Sequence, residues 1–160
     1  MKLIWKNERG YQLDRYGNYL KEHAGRFPRG AREFALADWH YDFKHHQCPH
    51  DSWLETFAIR ENASGERSQR SVVEIDSLFF GAYHDLYFSL TYRNVLAYAI
   101  ECDVRAPEGR RFHGDWIVDE LTLTESNSVH HEIQFEFATL IVTCLDLEYR
   151  CIPKISRPAH

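Results

Sequence analysis

The chain has 160 residues, 44% of them hydrophobic and 27% charged, with a formal net charge of -5. That size suits one domain with its own core, and the acidic balance excludes a broad positive footprint for nucleic acid. No segment approaches the roughly eighteen consecutive apolar residues of a spanning helix, so a membrane-spanning helix is excluded as well.

The opening MKLIWKNERGYQLD lacks the apolar core of a secretory signal. Cys48, Cys102, Cys144 and Cys151 are widely spread, and without a signal they are expected as reduced thiols in a cytoplasmic protein. From Asp14 to Arg26, an uneven helical spacing places Leu13, Tyr16, Leu20 and His23 on one face, with Asp14 as a cap and FPRG as the stop. EFALADWHYDF at 33–43 is expected as a strand of irregular alternation, followed by the polar turn KHHQCPHD.

WLETFAIR and SVVEIDSLFF flank the polar loop ENASGERSQRS, the pattern of a hairpin. In LYFSLTY, Leu86, Phe88, Leu90 and Tyr92 alternate with Tyr87, Ser89 and Thr91, the period of a half-buried strand. RNVLAYAIEC, WIVDELTLTES, VHHEIQFEF and TLIVTCLDLEYRCIP continue the series of strands. Short polar connections leave no room for crossover helices. The expected fold is therefore mainly β: a single-domain antiparallel β-sandwich or open barrel with a short N-terminal helical or irregular arm. One domain spans 1–160, with the arm at 1–32, the β core at 33–153 and a tail at 154–160. Leu86, Phe88, Leu90, Ile133 and Phe135 are the expected core.

Imidazole and carboxylate recur as neighbours at 50–51, 84–85, 113–115 and 130–132. Strand parity sends His84 and His131 inward and their neighbours Asp85 and Glu132 outward, so adjacent letters do not make a dyad. The expectation for both imidazoles is neutral hydrogen bonding within the core. The alternative is a metal site of His50, Asp51, His84 and His131, whose nitrogen and oxygen donors suit Zn, Fe or Mn. HExxH, HxxEH, paired CxxC, GxSxG, Walker and GxGxxG patterns are all absent. Cys48 near His50 is read as a structural thiol.

CPHDSWLE, GAYHDLYFSLTY, GDWIVDELTL, HHEIQF and LDLEYR together resemble an uncharacterised family of small bacterial β-sheet proteins, over residues 33–153. The HD-then-strand opening and the closing region also resemble immunity proteins that neutralise bacterial toxins. That resemblance implies a cytoplasmic protein-binding module, and the missing complete catalytic motif makes the expected module non-catalytic and metal-free. Arg105, Arg110 and Arg111 form a local positive loop, the expected partner contact. A metal-dependent enzyme and a structural or oligomer-forming protein are the other two classes; oligomeric state is not encoded in any of these motifs.

Overall fold

The computed structural model describes residues 3–67, 69–102 and 113–154. Arg105, Arg110 and Arg111 lie outside the described residues. The chain opens with a small hairpin, β1 (Trp5–Asn7) and β2 (Gly10–Gln12). Helix α1 (Asp14–His23) comes next, burying Tyr16 and Leu20. Asp14 lies inside its first turn, with Lys21 and His23 in its last, so the charges at both ends complement the helix dipole. A single 3-10 turn at Ala24–Arg26 and then Pro28 end this run and start α2 (Arg29–Ala35).

Residues 33–43 are not a strand. Glu33–Ala35 complete α2, and the backbone then passes through successive turns to residue 52. Ala31, Phe34 and Ala35 are buried, the spacing of one helical face rather than of a strand. Beyond the helix, turn bonds bind His40 to Ala37, His45 to Asp42, Cys48 to His45 and Ser52 to Pro49, each amide donating to the carbonyl three residues back.

From residue 53 onward the chain is dominated by long strands: β3 (Trp53–Ser64), β4 (Arg70–Phe80), β5 (Leu86–Cys102), β6 (Trp116–Leu123), β7 (Val129–Phe135) and β8 (Ala138–Pro153). They form one antiparallel sheet in the order β3-β4-β5-β8-β7-β6. Two hairpin-linked sets of three strands therefore meet at the β5–β8 pair. The fold is mainly β with a short N-terminal helical arm, and the sheet is not closed into a barrel.

The layer against the sheet is the arm and its turns. Tyr16, Leu20, Phe27 and Phe34 join Ile75, Phe88, Leu90, Ile133, Phe135 and Leu147 in one buried cluster. The two layers approach closely at Gly30, where an added Cβ would lie 1.9 Å from the Leu147 carbonyl oxygen. Asp146 on β8 completes that junction by accepting from the Gly30 and Ala31 amides at 3.3 and 2.9 Å. The other face of the sheet is laced with ion pairs across β3, β4, β5 and β8: Arg60 with Asp76, Arg93 with Glu74 and Glu148, Arg150 with Glu148.

The alternation in LYFSLTY is present in space, with Leu86, Phe88, Leu90 and Tyr92 buried. Phe88 has no exposed surface and lies 5.1 Å from Phe79 and 5.6 Å from Tyr149, ring to ring. Phe88→Ala should lower stability by about 3–5 kcal/mol in urea unfolding, since the rigid layers cannot close over the lost ring. Gly30→Ala should lower it by about 1–3 kcal/mol, because its new methyl meets backbone rather than a yielding side chain.

Candidate functional site

Asp119 reaches the interior through a fault in its strand. The β6–β7 register passes from Trp116 opposite Phe135 to Val118 opposite Gln134, leaving Ile117 as the extra residue of a bulge. Asp119 then stands opposite Ile133 and Leu121 opposite His131, so the carboxylate shares the inner face with His131. Without the bulge, alternation from Trp116 would turn Asp119 the other way.

Two imidazoles and an indole close on this carboxylate. His40 Nε2 lies 3.0 Å from Oδ1 and 3.1 Å from Oδ2. His131 Nε2 lies 3.1 Å from Oδ2, and Trp116 Nε1–H donates to Oδ1 at 3.2 Å. Each of His40, Asp119, His131 and Trp116 is at most 2% exposed.

Partner chemistry assigns the protons. His40 Nδ1 faces the Phe34 carbonyl oxygen at 2.9 Å, and its Nε2 faces the carboxylate. Both partners only accept, so both nitrogens of His40 donate and the ring is an imidazolium. His131 differs, because its Nδ1 faces the Tyr92 hydroxyl at 2.9 Å. That hydroxyl donates to Nδ1 while Nε2–H donates to Asp119, which leaves His131 neutral.

Burial alone would raise the Asp119 pKa. The His40 charge and the bonds from both imidazoles outweigh it and hold the carboxyl well below the usual carboxylate range. Burial dominates at His131 and lowers its pKa, against the pull of Asp119.

The same elements seal the outer edge of β6. Asp51 N–H donates to the Trp116 carbonyl and Trp116 N–H to the Ser52 carbonyl, at 2.9 and 2.7 Å. His50 Nδ1–H donates to the Ile117 carbonyl at 2.8 Å, and the Tyr41 hydroxyl to the Asp119 carbonyl at 2.5 Å. Leu121 and Leu123 amides donate to the Tyr16 and Tyr19 hydroxyls, both at 2.8 Å. Side chains from α1 and the turns thus satisfy an edge that would otherwise invite pairing. Glu120, on the opposite face, accepts from the Leu3 and Ile4 amides at 3.0 Å each.

Of the four residues proposed from sequence as metal donors, His50 and Asp51 come together, Nε2 to Oδ1 at 3.4 Å, while His84 and His131 serve separate tasks. His131 is inward and hydrogen-bonded, as parity indicates. His50 caps β6 and stacks on Phe43 at 4.3 Å. Asp51 is exposed with φ 61°. His84 is not inward: it is exposed, with φ 61°, in the turn before β5 begins at Leu86, so strand parity does not reach it. Its ring stacks on Phe80 at 5.1 Å and meets the edge of Trp53 at 5.0 Å. Among the described residues, no group of three or more His, Cys, Asp or Glu is arranged to hold a metal.

His40 and Asp119 are missed by sequence reasoning. A tryptophan three residues before an aspartate in DWIVDE is the one available signal, since both can share a face only across a bulge. Chemically the cluster is a lock. Both nitrogens of each imidazole are engaged, both carboxylate oxygens are engaged, and no buried side-chain polar atom among the described residues lacks a partner. Nor is Cys48 an available nucleophile: its thiol donates to the His40 carbonyl at 3.1 Å, and burial pushes its pKa up to about 11. Comparison with protein-family models, curated proteins and solved structures gives no match.

Acid should release this lock in two windows. His131 favours the neutral form in the fold, so its contribution is complete above an unfolded pKa near ~6.5 and falls as pH drops below it. Asp119 favours the charged form, so its contribution is complete above about pH 4 and is lost as pH falls further. Urea midpoints measured across pH should show both declines. His131→Gln should flatten the first, and Asp119→Ala should lower stability by about 3–5 kcal/mol at neutral pH by leaving the His40 charge buried and unpaired.

Proposed function

We propose that the protein is a non-catalytic, cytoplasmic protein-binding module of the immunity type, which receives an extended segment of its partner between β4 and β5. The observation that carries this reading is a fork in the sheet. Pairing of β4 with β5 runs from Phe80 opposite Tyr87 to Ile75 opposite Tyr92 and stops there. Pairing of β4 with β3 continues to Arg70, and pairing of β5 with β8 continues to Cys102. Two strand edges therefore diverge, and among the described residues nothing pairs with their facing sides.

The fork has a local cause. Asn94 takes φ 50°, and the β5–β8 register shifts between Val95 and Ala97, which together bend β5 away from β4. The wedge between them has a volume of about 300 Å³ and is lined by Val73, Val95, Leu96, Ala97 and Tyr98. Leu96 is 59% exposed and Tyr98 49%, and Ile59 and Ile100 add further exposed apolar surface. Unpaired backbone and apolar side chains in one groove are what an added strand requires: the first supplies hydrogen bonds and the second supplies selectivity.

The contrast with β6 supports the same reading, since that edge is closed residue by residue while this one is open among the described residues. The resemblance of CPHDSWLE through LDLEYR to immunity proteins supports the choice of a protein partner, and four free cysteines accord with a reducing compartment.

A photoreactive residue placed at Leu96 should give one discrete adduct with another protein in a bacterial cytosol. The same residue at Lys21, exposed on α1 and outside the wedge, should give none. Leu96→Asp should remove binding of the identified partner while changing stability by no more than about 0.5 kcal/mol, as expected of an exposed side chain. Equal labelling from both positions, or no adduct from Leu96, would count against the fork as the binding site.

A further inference from the structure

A second recess lies on the other side of the fold, between α2 and β8, with a volume of about 300 Å³. Its floor is aromatic. Trp39 and Tyr149 lie 4.5 Å apart at 32°, Phe34 lies 5.6 Å from Tyr149 at 26°, and Phe34 and Trp39 lie 5.9 Å apart at 57°, so the three rings form one compact cluster. Phe34 is buried, and Trp39 and Tyr149 are half-buried, which fixes the floor while leaving ring surface open to solvent. The Gly30 approach to Leu147 and the Asp146 cap hold α2 in place above β8, so the recess is built into the interface of two rigid elements.

Charged groups line the rim unequally. Arg150 is engaged by Glu148 at 3.2 Å, and Glu148 also lies 3.6 Å from Arg93. Glu33 has a different partner, Arg29, at 2.7 Å within the same helix, and both side chains are largely exposed. Such an exposed i,i+4 pair is weak, screened by water and salt, and exchanges readily for another cation. The rim therefore offers one replaceable carboxylate beside an aromatic floor.

We propose that this recess is a binding site for an organic ammonium group, such as the side chain of lysine or methylated lysine, which lies against the solvent-exposed surface of Trp39 and Tyr149 and takes Glu33 from Arg29. Ring faces carry negative potential and attract a cation, most strongly where an indole is present. The carboxylate adds a charge-assisted contact at the rim. The site is separate from the β4–β5 fork and does not depend on it.

The test uses the full chain, with ¹⁵N-labelled protein titrated against N-acetyl-lysine methylamide, its trimethylated form, tetramethylammonium and N-acetyl-glutamate methylamide. The two lysine derivatives should produce saturable shifts centred on the Trp39 indole N–H and on the amides of Glu33 and Tyr149. Glu33→Gln, an exposed change that leaves the floor intact, should weaken lysine binding about tenfold. Trp39→Phe should weaken it severalfold while preserving the packed ring, because a phenyl face attracts a cation less strongly than an indole. Tetramethylammonium binding as well as the lysine derivatives identifies a free ammonium as sufficient; stronger binding of the lysine derivatives assigns a role to the alkyl stem and a peptide source. No saturable shift with any cation, tighter binding of the glutamate derivative, or full affinity in Glu33→Gln would overturn the proposal.

Discussion

The Asp119 carboxylate is the point through which the two layers of this protein are made to agree. It sits on the sheet, yet its closest charged partner, His40, comes from the turns after α2, and a third donor, Trp116, comes from the same strand across a bulge. An isolated carboxylate in such a place would be strongly disfavoured. Here each oxygen is met by donors, and one of them carries the opposing charge. The arrangement is therefore sensitive to position: a small shift of the turn removes the charge pair, the Phe34 carbonyl bond and the Tyr41 cap together. Apolar packing alone tolerates sliding between a helix and a sheet, whereas this set of bonds has one solution. We regard the cluster as a determinant of where the arm docks more than as a net source of stability, in keeping with the near balance of desolvation and attraction in buried pairs. Replacing all three polar groups together with apolar ones, and comparing arm mobility with that of single variants, separates those two roles.

That docking determines how the sheet ends. The residues that reach Asp119 are continuous with those that close β6: His40 stacks on Tyr41, whose hydroxyl donates to the Asp119 carbonyl and whose ring meets that of Tyr16 edge to face, and Tyr16 receives the Leu121 amide. Closure of the edge and burial of the ion pair are thus one structural event. Among the described residues, β3 and the facing sides of β4 and β5 receive no such cover, and the difference lies in which strands the arm reaches. A chain with only one short helical arm can protect one side of a six-stranded sheet. The other side is left to bulges, charge and, in the proposed function, a partner.

Legibility in the sequence follows the regularity of the backbone. LYFSLTY and VHHEIQF are unbroken alternations, and the inward set they name, from Leu86 to Tyr92 and from Val129 to Phe135, is the buried set. Parity places His131 correctly for the same reason. Where the backbone departs from the repeat, parity fails. Positive φ at His84 puts it in a turn, outside the phase of β5. One inserted residue at Ile117 reverses the facing of Asp119, and with it the location of the charge that His131 and His40 serve. Residues 33–43 mislead through their aromatic and apolar content, which suits a strand, while the spacing of Ala31, Phe34 and Ala35 belongs to a helix. His40 is hidden by both effects, since its partner lies 79 positions away and no local pattern marks a pair of that separation.

The fork between β4 and β5 has its origin in the same physics of broken repeats. A bulge near Val95 gives β5 a new register against β8 without disturbing the core pairs at Tyr92 and below. The end of the β3–β4 hairpin, from Ile59 and Ile75 outward, is consequently held by its own cross-strand pairs and by the ion pairs of Arg60 and Arg93, with little packing from the arm. Isolated two-stranded ribbons are marginal in water. An added strand in the wedge would supply the missing neighbour on one side of each strand, with β8 between it and His131. Binding there has a specific signature: slower amide exchange in β4 from Arg70 to Glu74 and in β5 from Arg93 to Cys102, with the His40 ring signals unchanged, since that ring belongs to the turns after α2. A partner that instead perturbed the His40 ring would have to act through the arm, and the two modes are separated by that one comparison.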